Sequence, residues 1–230
     1  MKNNISIAID GPVGSGKGTL AVALSKKLGA LYVYTGAMYR ELALACMQEK
    51  ADVRNEEQIL EVLNKSSIDL QPTEKGIKAF LNNQDVSGKI FRPNVSRLTP
   101  IVAAFPKVRR EMVFKQRKMA DDVLKKGKSV VMEGRDIATE VIPNADIKIY
   151  LTADINKRAE RRLRQFEGKG IEIKLEDVLK DLEERDRQDT QRLASPLRIV
   201  EDAVVIDTTN DTIDQTVDKV MDKLRERNLI

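Results

Sequence analysis

The sequence predicts an α/β fold with a mainly parallel central sheet flanked by helices. Three observations carry that expectation. Short apolar stretches alternate with longer segments of helical period, an order that lays helices over both faces of a parallel sheet. The first apolar stretch ends in a glycine-rich turn that opens directly into a helix. The chain, at 230 residues, is long enough for one such domain carrying inserted parts.

Ile5-Ser6-Ile7-Ala8-Ile9-Asp10 forms the first buried strand. Residues 19–28 follow with apolar side chains at Leu20, Ala23, Leu24 and Leu28, a helical spacing that Gly29 ends. Residues 36–50 form a second helix and 55–64 a weaker one. Then the pattern changes. Ser67-Ile68-Asp69-Leu70 and Gly76-Ile77-Lys78-Ala79-Phe80-Leu81 resemble short strands, with turn signals over residues 72–76 and at Asn82-Asn83, so residues 65–92 read as a small β-rich insertion. Residues 102–126 are mainly helical, with Pro106 starting a fresh helix. Residues 128–132 and 146–151 are buried strands, separated by a short helix that Pro143 ends. Residues 157–166 and 175–189 are charged helices joined by a turn at Gly168-Lys169-Gly170. A last strand, 203–206, leads to a closing helix over 213–227. There is no internal repeat, low-complexity tract or long linker.

Composition removes several chemistries. Without histidine the chain has no imidazole base, no Ser-His-Asp relay and no His-ligated zinc. One cysteine, Cys46, leaves no internal disulfide, and on an apolar helix it reads as packing. The apolar runs are too short to span a bilayer, and Met1-Lys2-Asn3-Asn4 passes into a strand without signal-peptide character. A cytoplasmic protein is expected. The net charge of +4 suits a polyanionic ligand, but charge alone leaves nucleic acid and nucleotide both open.

The decisive segment is Gly11-Pro12-Val13-Gly14-Ser15-Gly16-Lys17-Gly18-Thr19, set between a strand and a helix as a P-loop requires. Glycines let backbone N–H groups converge on phosphate oxygens, the helix start adds a favourable dipole, and Lys17 supplies a mobile cation for the β and γ phosphates. The position after Lys17 is Gly18, where the general pattern has Ser or Thr; Thr19 stands one residue later, about 100° around the helix. Gly-Lys-Gly-Thr resembles the variant used by nucleoside monophosphate kinases.

Further segments, spread over nearly the whole chain, resemble bacterial cytidylate kinases. These are Thr35-Gly36-Ala37-Met38-Tyr39-Arg40, Val102-Ala103-Ala104-Phe105-Pro106-Lys107-Val108-Arg109, Glu133-Gly134-Arg135-Asp136, and Glu184-Arg185-Asp186-Arg187-Gln188-Asp189 on to Arg192. Only the P-loop is specific by itself; the five together in the family's order carry the resemblance. It implies a P-loop NTPase fold over residues 1–230, an acceptor-side insertion at 65–92 and a helical lid at 157–192. It further implies a monomer that uses ATP and Mg2+ to phosphorylate CMP or dCMP, with neither nucleic acid nor membrane as partner. By the same resemblance, residues Gly11 to Thr19 hold ATP, and Lys17, Arg158, Arg162 and Arg185 act in phosphoryl transfer. Arg40, Arg135, Arg185 and Arg192 hold the acceptor phosphate or sugar with Thr35 and Asp189 assisting, and Arg109 and Asp136 read the base. The metal ligands stay unassigned.

The residues themselves leave alternatives open. Arg185, Asp189 and Arg192, at i, i+4 and i+7, share a helix face and also suit a salt-bridged surface. Arg109 and Asp136 also suit an ordinary ion pair. Arg158, Arg161 and Arg162 suit either a lid closing over phosphate or a solvated face neutralised by Glu160 and Glu167. Tyr32 and Tyr39 suit core or acceptor wall. Two positions depart from the family: Tyr34 replaces its usual aspartate, and Pro100 a serine that helps hold the base. UMP, AMP or a non-nucleotide such as shikimate are the rival acceptors. A GTP switch or RNA-binding module is the other class, but the chain has no Asn-Lys-x-Asp sequence and only 4% aromatic residues for stacking.

Overall fold

β1 (Ser6–Asp10) is buried along its whole length and forms the middle of a five-stranded sheet. Its neighbours are β6 (Val130–Glu133) and β7 (Ile147–Thr152), with β2 (Leu31–Tyr34) outside β6 and β8 (Val204–Asp207) outside β7. All four pairings are parallel. β6 is fully buried too, the burial on both faces expected of a parallel sheet with helices on each side. This computed structural model describes residues 4–73, 76–168 and 170–230. Met1 to Asn3, Glu74 and Lys75 in the turn expected at 72–76, and Lys169 of the Gly168–Gly170 turn lie outside the described residues.

One face of the sheet packs against α1 (Lys17–Leu28) and α8 (Ile213–Glu226) through Ile7, Ile9, Leu20, Leu24, Val220 and Leu224. The other packs against α2 (Thr35–Gln48), α3 (Glu56–Lys65) and α5 (Pro106–Lys125) through Met38, Leu42, Ile59, Leu63 and Met112. Helix starts follow local chemistry. The Asn55 side chain accepts the N–H groups of Glu57 and Gln58, and Thr212 with Gln215 forms a reciprocal capping box.

A second, antiparallel sheet joins β3 (Ile68–Thr73), β4 (Gly76–Leu81) and β5 (Gln84–Asp85). α4 (Pro93–Val102) follows it. α6 (Ile155–Glu167) and α7 (Leu175–Gln191) pack on each other through a small separate cluster of Ala159, Val178 and Leu182.

The structure corrects four readings. β2 was unread, although Leu31-Tyr32-Val33-Tyr34 is a short run of strand-favouring residues. α4 was also unread, because Pro100 inside it looks like a breaker; Val102 ends that helix instead of beginning the next, and residues 103–105 form the break. The short helix before Pro143 is a single π-helical turn, Ile137–Val141. Arg192 lies one residue past α7 in extended conformation, so its approach to Asp189 comes from the cap and not from a continuing helix face.

Candidate active site

The C-terminal ends of β1, β6 and β2 point to one edge of the sheet, where open parallel sheets bind ligands. Residues 11–16 leave β1 there and enter α1 at Lys17, so the expected strand, loop and helix stand in order. Gly14 has φ of +79°, and the β-carbon of Arg158 lies 3.0 Å from where a Cβ at position 14 would stand. Helix α6 therefore rests directly on the loop. Lys17 is 6% exposed and its Nζ donates to Pro12 O at 2.7 Å. Burial pushes its ammonium down to about 7; the charge of Arg135 adds to that push and Glu133 opposes it. Burial also raises the Glu133 carboxyl, while Lys17 and a hydrogen bond from the Tyr32 hydroxyl hold it down. An arriving phosphate would restore the full charge of Lys17.

Beside the loop lies a cavity lined by Val13, Thr35, Arg40, Arg135, Arg185 and Asp189 at one end. Tyr39, Thr99, Pro100, Arg109, Asp136 and Arg192 also line it. It gathers every residue that the sequence assigned to the acceptor. Arg135 Nε meets Asp189 Oδ2 at 2.6 Å, and Arg192 Nη1 lies 3.6 Å from Asp189 Oδ1. Thr35 opens α2, and its hydroxyl donates to Glu133 O at 2.8 Å, leaving the helix start itself facing the cavity. Arg109 and Asp136 pair with each other in the buried wall, and Arg109 Nη1 also donates to Ala103 O at 2.9 Å. The guanidinium of Arg109 stands over the Tyr39 ring, 5.3 Å from its centroid.

Three of the four arginines of α6, Arg158, Arg161 and Arg162, have separate fates. Arg158 is 6% exposed and bound to Val13 O, Ala153 O and Asp186 Oδ2 at 3.1, 3.1 and 2.7 Å. Arg161 donates to the hydroxyl and carbonyl of Thr208, and that hydroxyl donates to Ser15 O at 3.0 Å. Among the described residues, Arg162 meets Gln165 and the face of Phe166. Burial lowers the pKa of Arg162, and the like charges of Arg185 and Arg40 lower it further. Glu160 pairs instead with Lys157 and Arg164.

On the other side of the loop, Gly14, Gly16, Thr19, Arg161, Thr208 and Ile213 line a second groove. Among the described residues no three acidic or sulfur side chains stand together as a metal cage.

The chain matches the model of the family described as Cytidylate kinase over residues 7–226. It belongs to the cytidylate kinase family. A cytidylate kinase of Caldanaerobacter subterraneus subsp. tengcongensis is 46% identical over 206 residues, 90% of this chain and 88% of that one. One from Oceanobacillus iheyensis is 43% identical over 210 residues, 91% and 89% of the two chains. An uncharacterized protein from Eubacterium ventriosum shares the fold at a TM-score of 0.53 and 13% identity, covering 96% of this chain and 99% of that one.

Within the cytidylate kinase frame, four contributors escaped the sequence reading. Asp10 accepts the N–H groups of Ile137 and Ala138 at 2.9 and 2.8 Å, fixing the turn that carries Arg135 and Asp136. Ser96 and Gln188 line the cavity beside the loop, and Thr208 ties α6 to the P-loop. Asp10 had a signal, a carboxylate ending a buried strand. The others had none.

Proposed function

We propose that the protein transfers the γ-phosphoryl group of ATP to CMP or dCMP, giving ADP and CDP or dCDP. The observation that carries this reading is the acceptor cavity: Arg40, Arg109, Arg135, Arg185 and Arg192 surround a space that opens beside Val13 of the P-loop. Phosphoryl transfer needs positioning and cations more than a covalent nucleophile, and a histidine-free chain supplies both.

In this assignment the P-loop amides and Lys17 hold the triphosphate, and the groove with Thr19, Arg161 and Ile213 takes the rest of ATP. Arg40, Arg135 and Arg185 hold the acceptor phosphate in line with it, with Thr35 at the helix start. Asp189 and Arg192 face the sugar. Asp136 accepts from the cytosine N4 amino group and Arg109 donates to N3 or O2, which separates cytosine from uracil, whose corresponding group is a carbonyl. Pro100 offers no hydroxyl to the base, so exclusion of UMP is modest, about ten-fold.

Arg185, which lines the acceptor cavity, and Arg162, close enough to feel its charge, neutralise charge on the group in flight. Arg158 serves from behind, holding Val13. The 65–92 segment closes over the acceptor and the 157–192 segment over the donor, excluding water. Bound Mg2+ would supply charge neutralisation for the donor phosphates. With no acidic cage among the described residues it would be held mainly by phosphate and water, with the Glu133 carboxylate beside Gly18 placed to orient that water. One chain holds all these groups, so a cytoplasmic monomer suffices.

ADP release measured against a panel of monophosphates tests the assignment. CMP and dCMP are expected to exceed UMP and AMP; faster turnover with AMP than with CMP would overturn it. Lys17→Ala should lower turnover by at least about a hundred-fold with the fold intact.

A further inference from the structure

Tyr34 ends β2, and Phe91 sits in the turn before α4. Their ring centroids are 6.4 Å apart and their planes are within 5° of parallel. Phe91 is 45% exposed, a large aromatic at the edge of the cavity that Tyr34 and Arg40 line. The guanidinium carbon of Arg40 lies 5.3 Å from the Phe91 ring centroid. Its Nη1 donates to Ile90 O at 3.2 Å and to Ser96 Oγ at 2.7 Å. These three contacts on Arg40 all come from residues 90–96.

Ile90 and Val95 bury that stretch in the core with Met38 and Leu42 of α2. At its exposed residue, Phe91, a further contact comes from Tyr34. Its ring lies against the first turn of α2, so close that a Cβ on Gly36 would stand 2.6 Å from Tyr34 Cε2. The ring cannot shift towards the helix, and its outer face takes Phe91. Offset parallel rings attract, and a guanidinium favours an aromatic face. The chain of contacts therefore runs from the start of α2, through Tyr34 and Phe91, to Arg40.

We propose that Tyr34 and Phe91 are positioning residues for the acceptor phosphate, a stacked pair that holds the exposed Phe91 ring against the Arg40 guanidinium and so fixes the direction of Arg40. The inference rests on the acceptor role given to Arg40 above. Neither ring needs to touch the nucleotide. An uncharged pair at this point also leaves the charge of Arg40 uncompensated for the incoming anion, as a carboxylate at position 34 would not.

Steady-state kinetics of the full chain test it, with CMP varied at saturating ATP and ATP varied at saturating CMP. Phe91→Ala is expected to raise the KM for CMP about ten-fold while leaving the KM for ATP and the melting temperature near wild type. Phe91→Tyr keeps the ring and is expected to recover the wild-type KM. In an Arg40→Lys background, Phe91→Ala should add little further, because the two act as one unit. An unchanged KM for CMP in Phe91→Ala overturns the proposal, as does an equal rise for both substrates with a lower melting temperature. An additive effect in the Arg40→Lys background overturns it too. Wild-type turnover of CMP is the control: its absence would defeat the functional reading, whereas its presence with a silent Phe91→Ala defeats only this inference.

Discussion

The Tyr32 hydroxyl donates to Glu133 Oε1, and that same oxygen lies 3.0 Å from where a Cβ at position 18 would stand. The tyrosine oxygen is 3.7 Å from the same point. The space beside the P-loop that a Ser or Thr would fill is thus already taken by a buried carboxylate held from β2. Gly18→Ser is therefore expected to damage the enzyme, although it restores the general P-loop pattern. Turnover at saturating ATP and CMP should fall about ten-fold or more as Glu133 and Lys17 are displaced. Wild-type turnover in Gly18→Ser, measured by ADP release, would show that Glu133 yields freely.

Asp10 links the P-loop strand, which it ends, to the turn after Asp136, whose N–H groups it accepts. Burial pushes its carboxyl up to about 6, against the pull of the Ala138 and Ile137 N–H groups. In Asp10→Asn one N–H keeps an oxygen and the other meets an amide NH2. Such a mismatched buried donor costs about 1–3 kcal/mol. The KM for CMP is expected to rise about ten-fold, more than the KM for ATP, because the turn carrying Arg135 and Asp136 loosens. Equal changes in the two KM values would count against this link.

How far these relationships were legible in the sequence depends on their range along the chain. The P-loop was readable because a phosphate cradle needs Gly14, Gly16 and Lys17 in one contiguous stretch. β1 and β6 were readable because burial on both faces demands nearly continuous apolar runs, and β7 because buried Ile147, Ile149 and Leu151 alternate with half-buried residues. β2 was not read: its four residues, Leu31–Tyr34, favour a strand but are too few to set a period before α2 begins at Thr35. α4 hid behind Pro100, although Pro93 at its first turn was an available start signal. The grouping of five arginines from four separate segments came only through the family resemblance. The Tyr32–Glu133 bond joins residues 101 positions apart, and nothing local announces it.

Glu41 gives a pH dependence. It is fully buried between α2 and the small sheet, and among the described residues neither carboxyl oxygen has a partner in hydrogen-bond geometry. Burial pushes its pKa up to about 9, with the charge of Asp69 adding; the N–H groups of Asp69 and Phe80 pull weakly the other way. A carboxyl raised in the fold stabilises fully below its unfolded pKa, and that contribution is lost as pH climbs through the folded value. Here the window runs from about 4.5 to about 9. Glu41→Gln removes the titration. The stability of the variant relative to wild type should improve by on the order of 3 kcal/mol between about pH 5 and pH 8, read from denaturant unfolding at each pH. A difference that does not change with pH would mean that Glu41 titrates normally.

Arg158 and Arg162 both stand on α6, one turn apart, yet their surroundings demand opposite outcomes. The Arg158 guanidinium is buried and ties the P-loop carbonyl of Val13 to Asp186 of α7. Arg158→Ala would strand Asp186 and the carbonyl, so stability should fall by about 3 kcal/mol and the KM for ATP should rise. Arg162 has no such anchor: its Nε is shielded and without a partner among the described residues, and its neighbours Arg185 and Arg40 repel it. An anion between these three arginines relieves that repulsion, most of all when charge builds up during transfer. Arg162→Ala is therefore expected to leave the melting temperature almost unchanged while lowering kcat about a hundred-fold. Arg162→Lys should recover part of the loss, since it keeps the charge but not the fork of donors. The two alanine variants, compared by thermal unfolding and by kcat, separate the roles: a stable Arg158→Ala or a fully active Arg162→Ala would each show that the division drawn from these contacts is wrong.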